Sequence, residues 1–200
     1  IVSKLRETSA SPTINPAGGL YERPLTISIA SIGEEIRFTT DGSNPTPTSA
    51  LYTRPIELTG TTVVRARTFG LGKVPSKIIT HTYFVGESFE NGLPIISVTA
   101  PDNTLFDPKL GIYGNRNTSG GNIHKGVDAP GNLEFFPSDG SNGFSINGGF
   151  RLGGENNFLA HPQKALKSAI RGRYGDDALN YDLFPESGVG TFTSLTLREG

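Results

Sequence analysis

Four glycines in the second half of the chain have the spacing of residues that could cradle a phosphate. They form the pairs Gly148-Gly149 and Gly153-Gly154. A P-loop also needs a Gly-Lys-Ser/Thr ending, and a dinucleotide-binding loop needs a helix after its glycines. Neither feature follows these pairs, so the sequence predicts neither kind of nucleotide-binding loop.

The residues that most often bind metals or act in acid–base catalysis are scattered. The histidines His81, His124 and His161 are too far apart for a metal-ligand spacing. Asp176 and Asp177 are adjacent, so on a strand their side chains would face apart and could not act as a glycosidase pair. We therefore predict no catalytic residue and no metal site.

Composition excludes further functions. The 200 residues include 18 basic and 19 acidic ones, for a net charge of −1, which does not favour nucleic acid as a partner. Cysteine is absent, so disulfides and thiolate metal sites are excluded. No apolar stretch approaches the roughly 20 residues that span a bilayer, so we expect a soluble chain without a membrane span. The start at Ile1 and the absence of Met suggest a processed or excised fragment.

Alternating apolar and polar residues predict strands in the first part of the chain. The 26 Gly and 14 Pro residues predict frequent turns between them. The predicted strands lie at Leu25–Ile29, Ile36–Thr40, Ile56–Leu58, Val64–Thr68 and Ile79–Tyr83. Strands that recur every ten to fifteen residues or so, with turns between them, are typical of a β-sandwich.

A dense cluster of turn-forming residues follows the second of these strands. Asp41-Gly42 predicts a turn, because Gly adopts positive φ and the Asp side chain can cap the backbone. Pro45 and Pro47 keep the following residues out of the middle of a sheet. The alternative, a polar binding or Ca²⁺ loop formed by Asp41, Ser43 and Thr46, lacks a spaced set of acidic ligands.

The order of these motifs resembles the chitobiase/β-hexosaminidase C-terminal type of module. The resemblance covers roughly Ser11 to Val85. It rests on Ile36 to Thr46, Leu51-Tyr52, Pro55-Ile56, Thr62 to Thr68 and Pro75 to Tyr83. It implies an immunoglobulin-like accessory module in a secreted bacterial protein, and it implies no catalysis.

The best boundary in the chain is the polar, glycine-bounded segment 86–92. We therefore predict a linker at 1–10, a sandwich at 11–85, a second linker at 86–92 and a second domain at 93–200. Helical signals are weak, with one short turn expected near 156–161. The glycine-rich loop from Gly114 to Gly131 contains His124 and Asp128 and could bind a partner, although flexibility explains its composition equally well.

Antiparallel strands are predicted in the second domain as well. They lie at Leu93–Val98, Leu133–Phe136, Phe144–Ile146, Gly149–Leu152 and Ala165–Ile170. The fold class is therefore mainly β, with an immunoglobulin-like sandwich followed by an α+β portion rich in antiparallel sheet.

Nine fragments from Leu93 onward, taken in order, resemble the amino-terminal part of the CotH family of spore-coat proteins with a kinase-like fold. They are Leu93–Val98, Leu105–Asp107, Gly111–Tyr113, Leu133–Phe136, Gly149–Gly153, Pro162–Leu166, Tyr174-Gly175, Leu183-Phe184 and Leu195–Arg198. The resemblance implies an antiparallel lobe that presents a lysine and a glycine-rich turn to nucleotide phosphates.

The resemblance also implies particular site residues. Lys164 matches the basic residue of the family and would contact phosphate, with Arg151 and Gly153 beside it. Arg151 could instead orient an acidic side chain such as Glu134, or form a structural ion pair, and Lys164 could be a solvated lysine at a strand edge. Lys167 lies three residues from Lys164, so on a regular strand the two would face apart.

The acidic residues that hold Mg²⁺ in such a family would lie beyond Leu197-Arg198. We therefore expect the parent protein, at the bacterial surface or secreted, to bind ATP with Mg²⁺ and to phosphorylate other surface proteins. This chain alone is expected to be inactive and to bind no cofactor. The alternatives are a structural or adhesive surface module and a polysaccharide-binding accessory protein.

A glycan-binding module would need exposed aromatic side chains that stack on sugar rings. The first half of the chain offers Tyr21, Tyr52, Phe69 and Tyr83, but no Trp. Most of these rings are at positions expected to face inward, so core packing explains them more readily than sugar stacking.

Overall fold

A computed structural model describes residues 6–87, 92–114, 126–153 and 164–198. Contacts divide the chain into two units, one formed by Ile1–Ser97 and Glu134–Gly143 and the other by Val98–Leu133 and Phe144–Gly200. Strands dominate both units, and most of them pair antiparallel, which confirms the mainly β fold class. The kinase-like nature of the second domain and the four domain bounds stay predictions.

The first unit is a β-sandwich of two sheets. Its strands are β1 (Thr13–Asn15), β2 (Gly19–Tyr21), β3 (Leu25–Ala30), β4 (Glu35–Thr39), β5 (Ala50–Leu51), β6 (Ile56–Leu58), β7 (Thr62–Phe69) and β8 (Ile79–Val85). One sheet has the order β1-β3-β6 and the other has the order β2-β8-β7-β4-β5. Only the pairing of β2 with β8 is parallel among the registers described for these strands.

Alternate residues of these strands fill the space between the two sheets, as the period-2 pattern predicts. The buried apolar residues are Ile14, Ile27, Ile29, Ile36, Leu58, Val64, Ala66, Tyr83 and Val85. Each of the five strands predicted from alternation is present, at β3, β4, β6, β7 and β8. The hydrophobic effect acting on this set therefore fixes which face of each strand points inward.

The turn after β4 is held by its own side chains and by a buried arginine. Asp41 Oδ1 accepts a hydrogen bond from the Ser43 backbone N–H at 3.0 Å, and Gly42 has a φ of 78°. Arg65, on β7, is 2% exposed. Its Nη1 donates to Gly42 O at 3.0 Å and to Asn44 Oδ1 at 2.6 Å, and its Nε donates to Thr80 Oγ1. The predicted turn is therefore an ordered part of the sandwich.

Part of the predicted first linker packs on the sandwich. Thr8 forms a bridge with Val74, and Ser9 is 4% exposed. The Ser9 backbone N–H donates to Val74 O at 2.8 Å, and the Ser9 hydroxyl accepts from the Gly70 N–H. Ordered structure therefore begins before Ser11.

The second unit is built on a five-stranded sheet with the order β15-β12-β11-β10-β9. A separate hairpin joins β13 to β14. The elements are β9 (Ile95–Thr99), α1 (Asp102–Leu105), β10 (Ala129–Phe136), β11 (Phe144–Leu152), β12 (Leu166–Ala169), β13 (Leu179–Phe184), β14 (Val189–Phe192) and β15 (Ser194–Leu197). Short 3-10 helices span Gly172–Tyr174 and Pro185–Ser187.

One face of this sheet lies against the second core. The buried apolar residues of that core are Ile112, Ala129, Leu133, Ile146, Phe150, Leu152, Ile170 and Leu179. A half-buried polar group also ties the elements together, because Asp176 Oδ2 accepts a hydrogen bond from the backbone N–H of Asn147 at 2.9 Å. Apolar packing and the half-buried Asp176 carboxylate therefore fix the position of β11.

Three predictions for the second unit need correction. The two strands predicted at 144–146 and 149–152 are one strand, β11, because Gly148 and Gly149 remain in the ladder. The strand predicted from Ala165 begins at Leu166, so Lys164 precedes it. Helix α1 has no periodic signal in its four residues, and the sequence missed it. The turn expected near 156–161 lies outside the described residues.

None of the helices in the described ranges has the length and apolar character that a bilayer crossing requires.

Asn44 should contribute to the stability of the sandwich through Arg65. The change Asn44→Ala leaves a donor of the buried guanidinium without its acceptor, so we expect a loss of about 1–3 kcal/mol in the free energy of unfolding. Urea-induced unfolding followed by circular dichroism measures this loss. The exposed Thr53→Ala is the control, with an expected change within about 0.5 kcal/mol. Equal effects of the two changes would contradict this role for Asn44.

Candidate functional site

The region around Arg151 contains the residues that the sequence predicts to bind phosphate. Arg151 lies on β11, two residues before Gly153. The Gly153 backbone N–H donates to Ala165 O at 2.7 Å, which places Gly153 beside the segment that contains Lys164. The structure therefore brings the three predicted residues to one end of the β11–β12 pair. Lys164 is half-buried at this end.

The register of β11 and β12 gives Arg151 a lysine neighbour that the sequence did not assign to it. Arg151 is directly opposite Lys167 in the antiparallel ladder. Residues opposite each other share a face, with Cβ atoms about 4.5–5.5 Å apart. The neighbouring positions Phe150 and Leu152 face the core, so Arg151 and Lys167 lie on the outer face.

Arg151 forms an ion pair with a carboxylate other than the one suggested from the sequence. Its Nη2 lies 2.6 Å from Oδ1 of Asp128, whose side chain is 2% exposed. Asp128 Oδ2 is 2.8 Å from Nη2 of Arg173 and accepts a hydrogen bond from the Tyr174 hydroxyl. Asp128 therefore replaces Glu134 as the partner of Arg151.

The electrostatics of Asp128 follow from these neighbours. Burial alone would raise the pKa of its carboxyl, but the Tyr174 hydrogen bond and the charges of Arg151 and Arg173 outweigh burial and lower the pKa. Burial and the contact with Asp128 also raise the pKa of the Tyr174 phenol. The carboxylate therefore stays ionised at neutral pH and holds Arg151 in place on the sheet.

The sequence could not identify Asp128 as this partner. The sequence places Asp128 only within the glycine-rich loop, and residues 115–125 of that loop, including His124, lie outside the described residues. One signal for Lys167 was available. Leu166 is apolar and is expected to face the core. Because successive side chains on a strand point to opposite faces, Lys167 is then expected to face outward, as Arg151 does.

Glu134 forms a different site, within the first unit. It is 2% exposed, accepts a hydrogen bond from the Thr82 backbone N–H at 3.1 Å, and accepts another from the Thr82 hydroxyl. Burial raises its pKa to about 7, although the bonds from Thr82 act in the opposite direction. No cation forms an ion pair with it among the described residues.

The aromatic residues of the sandwich are mostly part of its core. Tyr83 is fully buried, and Tyr21 and Tyr52 pack against the buried residues. Phe69 is half-buried beneath the Arg67 guanidinium, 5.9 Å from its ring centroid. Core packing accounts for the three tyrosines, as the sequence indicates.

His81 is also a structural residue of the sandwich. Its Nδ1 accepts a hydrogen bond from the Gly18 backbone N–H at 2.8 Å, and burial lowers its pKa. Within the described ranges, no group of three or more His, Cys, Asp or Glu side chains is arranged to hold a metal ion.

The fold and these contacts define the first unit as a β-sandwich with an apolar core. Residues 16–80 match the chitobiase/β-hexosaminidase C-terminal domain family, which confirms the resemblance of that segment. The match covers about a third of the chain. No curated protein matches the chain. The CotH resemblance from Leu93 onward stays a prediction.

The Glu134 carboxyl should make the stability of the chain depend on pH. Its pKa rises on folding from the ordinary 4.5 to about 7, so the buried group favours the folded state at low pH. The free energy of unfolding should fall by roughly 2–3 kcal/mol as pH rises through this window. Urea unfolding between pH 4.5 and 8 measures the change.

Glu134→Gln should remove this pH-dependent contribution and should be more stable than the wild type at pH 8. The exposed Glu57→Gln is the control and should keep the wild-type profile. If the profiles of the wild type and Glu134→Gln run parallel across this range, the carboxyl has no such role.

Gly149 should be required for the position of Tyr174. A Cβ at residue 149 would collide with the Tyr174 ring, which donates a hydrogen bond to Asp128, so the ring or the strand backbone would have to shift. We expect Gly149→Ala to reduce stability by about 1–3 kcal/mol. Thermal unfolding measures this, with Gly190→Ala, which meets no atom within 4 Å, as the control. Equal melting temperatures would contradict the prediction.

Proposed function

We propose that this chain is part of a secreted or surface-exposed bacterial protein with an accessory sandwich and a CotH-like portion that binds nucleotide phosphates. In the complete protein, ATP with Mg²⁺ would be the ligand and other surface proteins would be phosphorylated. The family match of residues 16–80 supports the accessory module, since such modules accompany extracellular carbohydrate-active proteins.

The observation that carries the phosphate-binding proposal is that the hydrogen bond from the Gly153 N–H to Ala165 O places Arg151, Gly153 and Lys164 at one end of the β11–β12 pair. Phosphate binding needs a backbone that can approach the ligand closely and a cation within reach. Gly153, which has no side chain, allows a ligand to approach the backbone closely. Lys164, which directly precedes Ala165, supplies the cation. Arg151, two residues from Gly153 on the same strand, adds a planar donor suited to phosphate oxygens.

Packing among the described residues does not explain why residue 153 is a glycine. A Cβ there would meet Ala165 at 3.6 Å, an ordinary van der Waals distance, and its φ does not lie in the left-handed region. Close approach of a ligand to the backbone gives a reason for glycine at this position.

A titration of the full-length protein with Mg-ATP tests the proposal. We expect its melting temperature to rise with ATP concentration and Lys164→Ala to weaken binding about tenfold, the loss of one charge-assisted contact. Lys109→Ala, at an exposed lysine of the same unit, is the matched control and should bind like the wild type. The chain alone should consume no ATP.

Two results would count against the proposal. No thermal or calorimetric response of the wild type would favour the structural or adhesive alternative. An equal loss of ATP affinity in Lys164→Ala and Lys109→Ala would show that the effect comes from overall charge.

A further inference from the structure

The outer face of β11 and β12 contains a cleft that has only Arg151 in common with the proposed nucleotide site. The cleft has a volume of about 460 Å³, within the range of small-molecule sites. Its lining includes Arg151, Lys167, Arg171, Asp177, Thr193 and Ser194. Lys164 is not part of the lining.

The cleft carries a local excess of positive charge. Arg151, Lys167 and Arg171 contribute three positive charges and Asp177 contributes one negative charge, which leaves two positive charges. In the described part of the chain, Lys167 and Arg171 form no ion pair with a carboxylate. Like charges directly opposite on paired strands destabilise a sheet, so Arg151 and Lys167 repel each other until an anion lies between them.

The charge of Arg151 is only partly matched by Asp128. That carboxylate is shared with Arg173, so one negative charge faces two guanidinium groups. In addition, Arg151 Nε is buried and has no hydrogen-bond partner in the described residues. A buried donor without an acceptor is destabilising, and an anion in the cleft would supply the missing acceptor.

Two hydroxyl side chains and one small side chain complete the lining of the cleft. Ser194 is directly opposite Ala169, whose small side chain leaves the cleft open. Thr193 and Ser194 are exposed, so their hydroxyls can donate to an oxyanion. Gly172 also lines the cleft, with the Asp177 carboxylate beside it.

We propose that this cleft binds the phosphate group of a small phosphomonoester. A phosphate dianion matches the two excess positive charges, and the arginines and hydroxyls suit its oxygens. The cleft is larger than one phosphate, so it has room for the group to which the phosphate is esterified. This inference goes beyond the nucleotide proposal, with which it shares Arg151 alone.

Calorimetric titration of the chain with glycerol 3-phosphate, without Mg²⁺, tests this inference. We expect glycerol 3-phosphate to bind more tightly than inorganic phosphate and glycerol not to bind. Lys167→Gln and Arg171→Gln should each weaken binding about three- to tenfold, and affinity should fall with added salt. Asp177→Asn should strengthen binding, because it removes a repelling charge from the cleft.

Two controls separate this site from the nucleotide site. Lys109→Gln, an exposed lysine outside the cleft, should bind glycerol 3-phosphate like the wild type, and so should Lys164→Ala. In NMR spectra, glycerol 3-phosphate should shift the amide signals of Gly172, Thr193 and Ser194. Failure of the Mg-ATP titration would leave each of these expected results unchanged.

Several outcomes would overturn the inference. One is wild-type affinity for glycerol 3-phosphate in both Lys167→Gln and Arg171→Gln, and another is weaker binding in Asp177→Asn. A third is no binding of glycerol 3-phosphate at about 10 mM, which is roughly ten times the upper end of typical KM values. Equal affinity for inorganic phosphate would overturn the phosphomonoester assignment. A loss in Lys164→Ala with none in Lys167→Gln would place the phosphate at the nucleotide site.

Discussion

The antiparallel register between β11 and β12 controls the chemistry of the second unit. Phe150 and Leu152 face the core, so the residues between and beside them must face outward. A slip of one residue would place Arg151 in the core and Phe150 in solvent. The hydrophobic effect therefore fixes the outer position of Arg151 and its pairing with Lys167, although neither residue is itself apolar.

Three buried charged groups show how differently a protein can compensate for lost hydration. Arg65 is surrounded by neutral oxygens, and burial lowers its pKa only to about 10, so it remains a cation. Asp128 has two guanidinium groups and a phenol, and remains an anion. Among the residues that the structure describes, the Glu134 carboxylate accepts hydrogen bonds from Thr82 alone, and burial raises its pKa to about 7. The number and charge of the partners decide the ionisation state.

The sequence predicted local structure more successfully than long-range pairing. The alternation along β3, β4 and β7 is a local property, and the turn at Asp41-Gly42 depends on two residues, so both could be predicted. The contact of Arg151 with Asp128 joins residues 23 positions apart, and no local pattern specifies it. Strand register likewise depends on tertiary packing, which is why the sequence could not show that Lys167 lies directly opposite Arg151.

The hydrogen bonds of Arg65 have a consequence for protein engineering. The turn that contains Gly42 and Asn44 supplies two of the oxygens that solvate a buried guanidinium. An inserted epitope or linker would remove those oxygens from the sandwich interior, so this conspicuous turn is a poor grafting site. The tip at Gly60 has no neighbouring atom within 4 Å of an added Cβ and supplies no oxygen to a buried guanidinium, so it is the better place for foreign sequence.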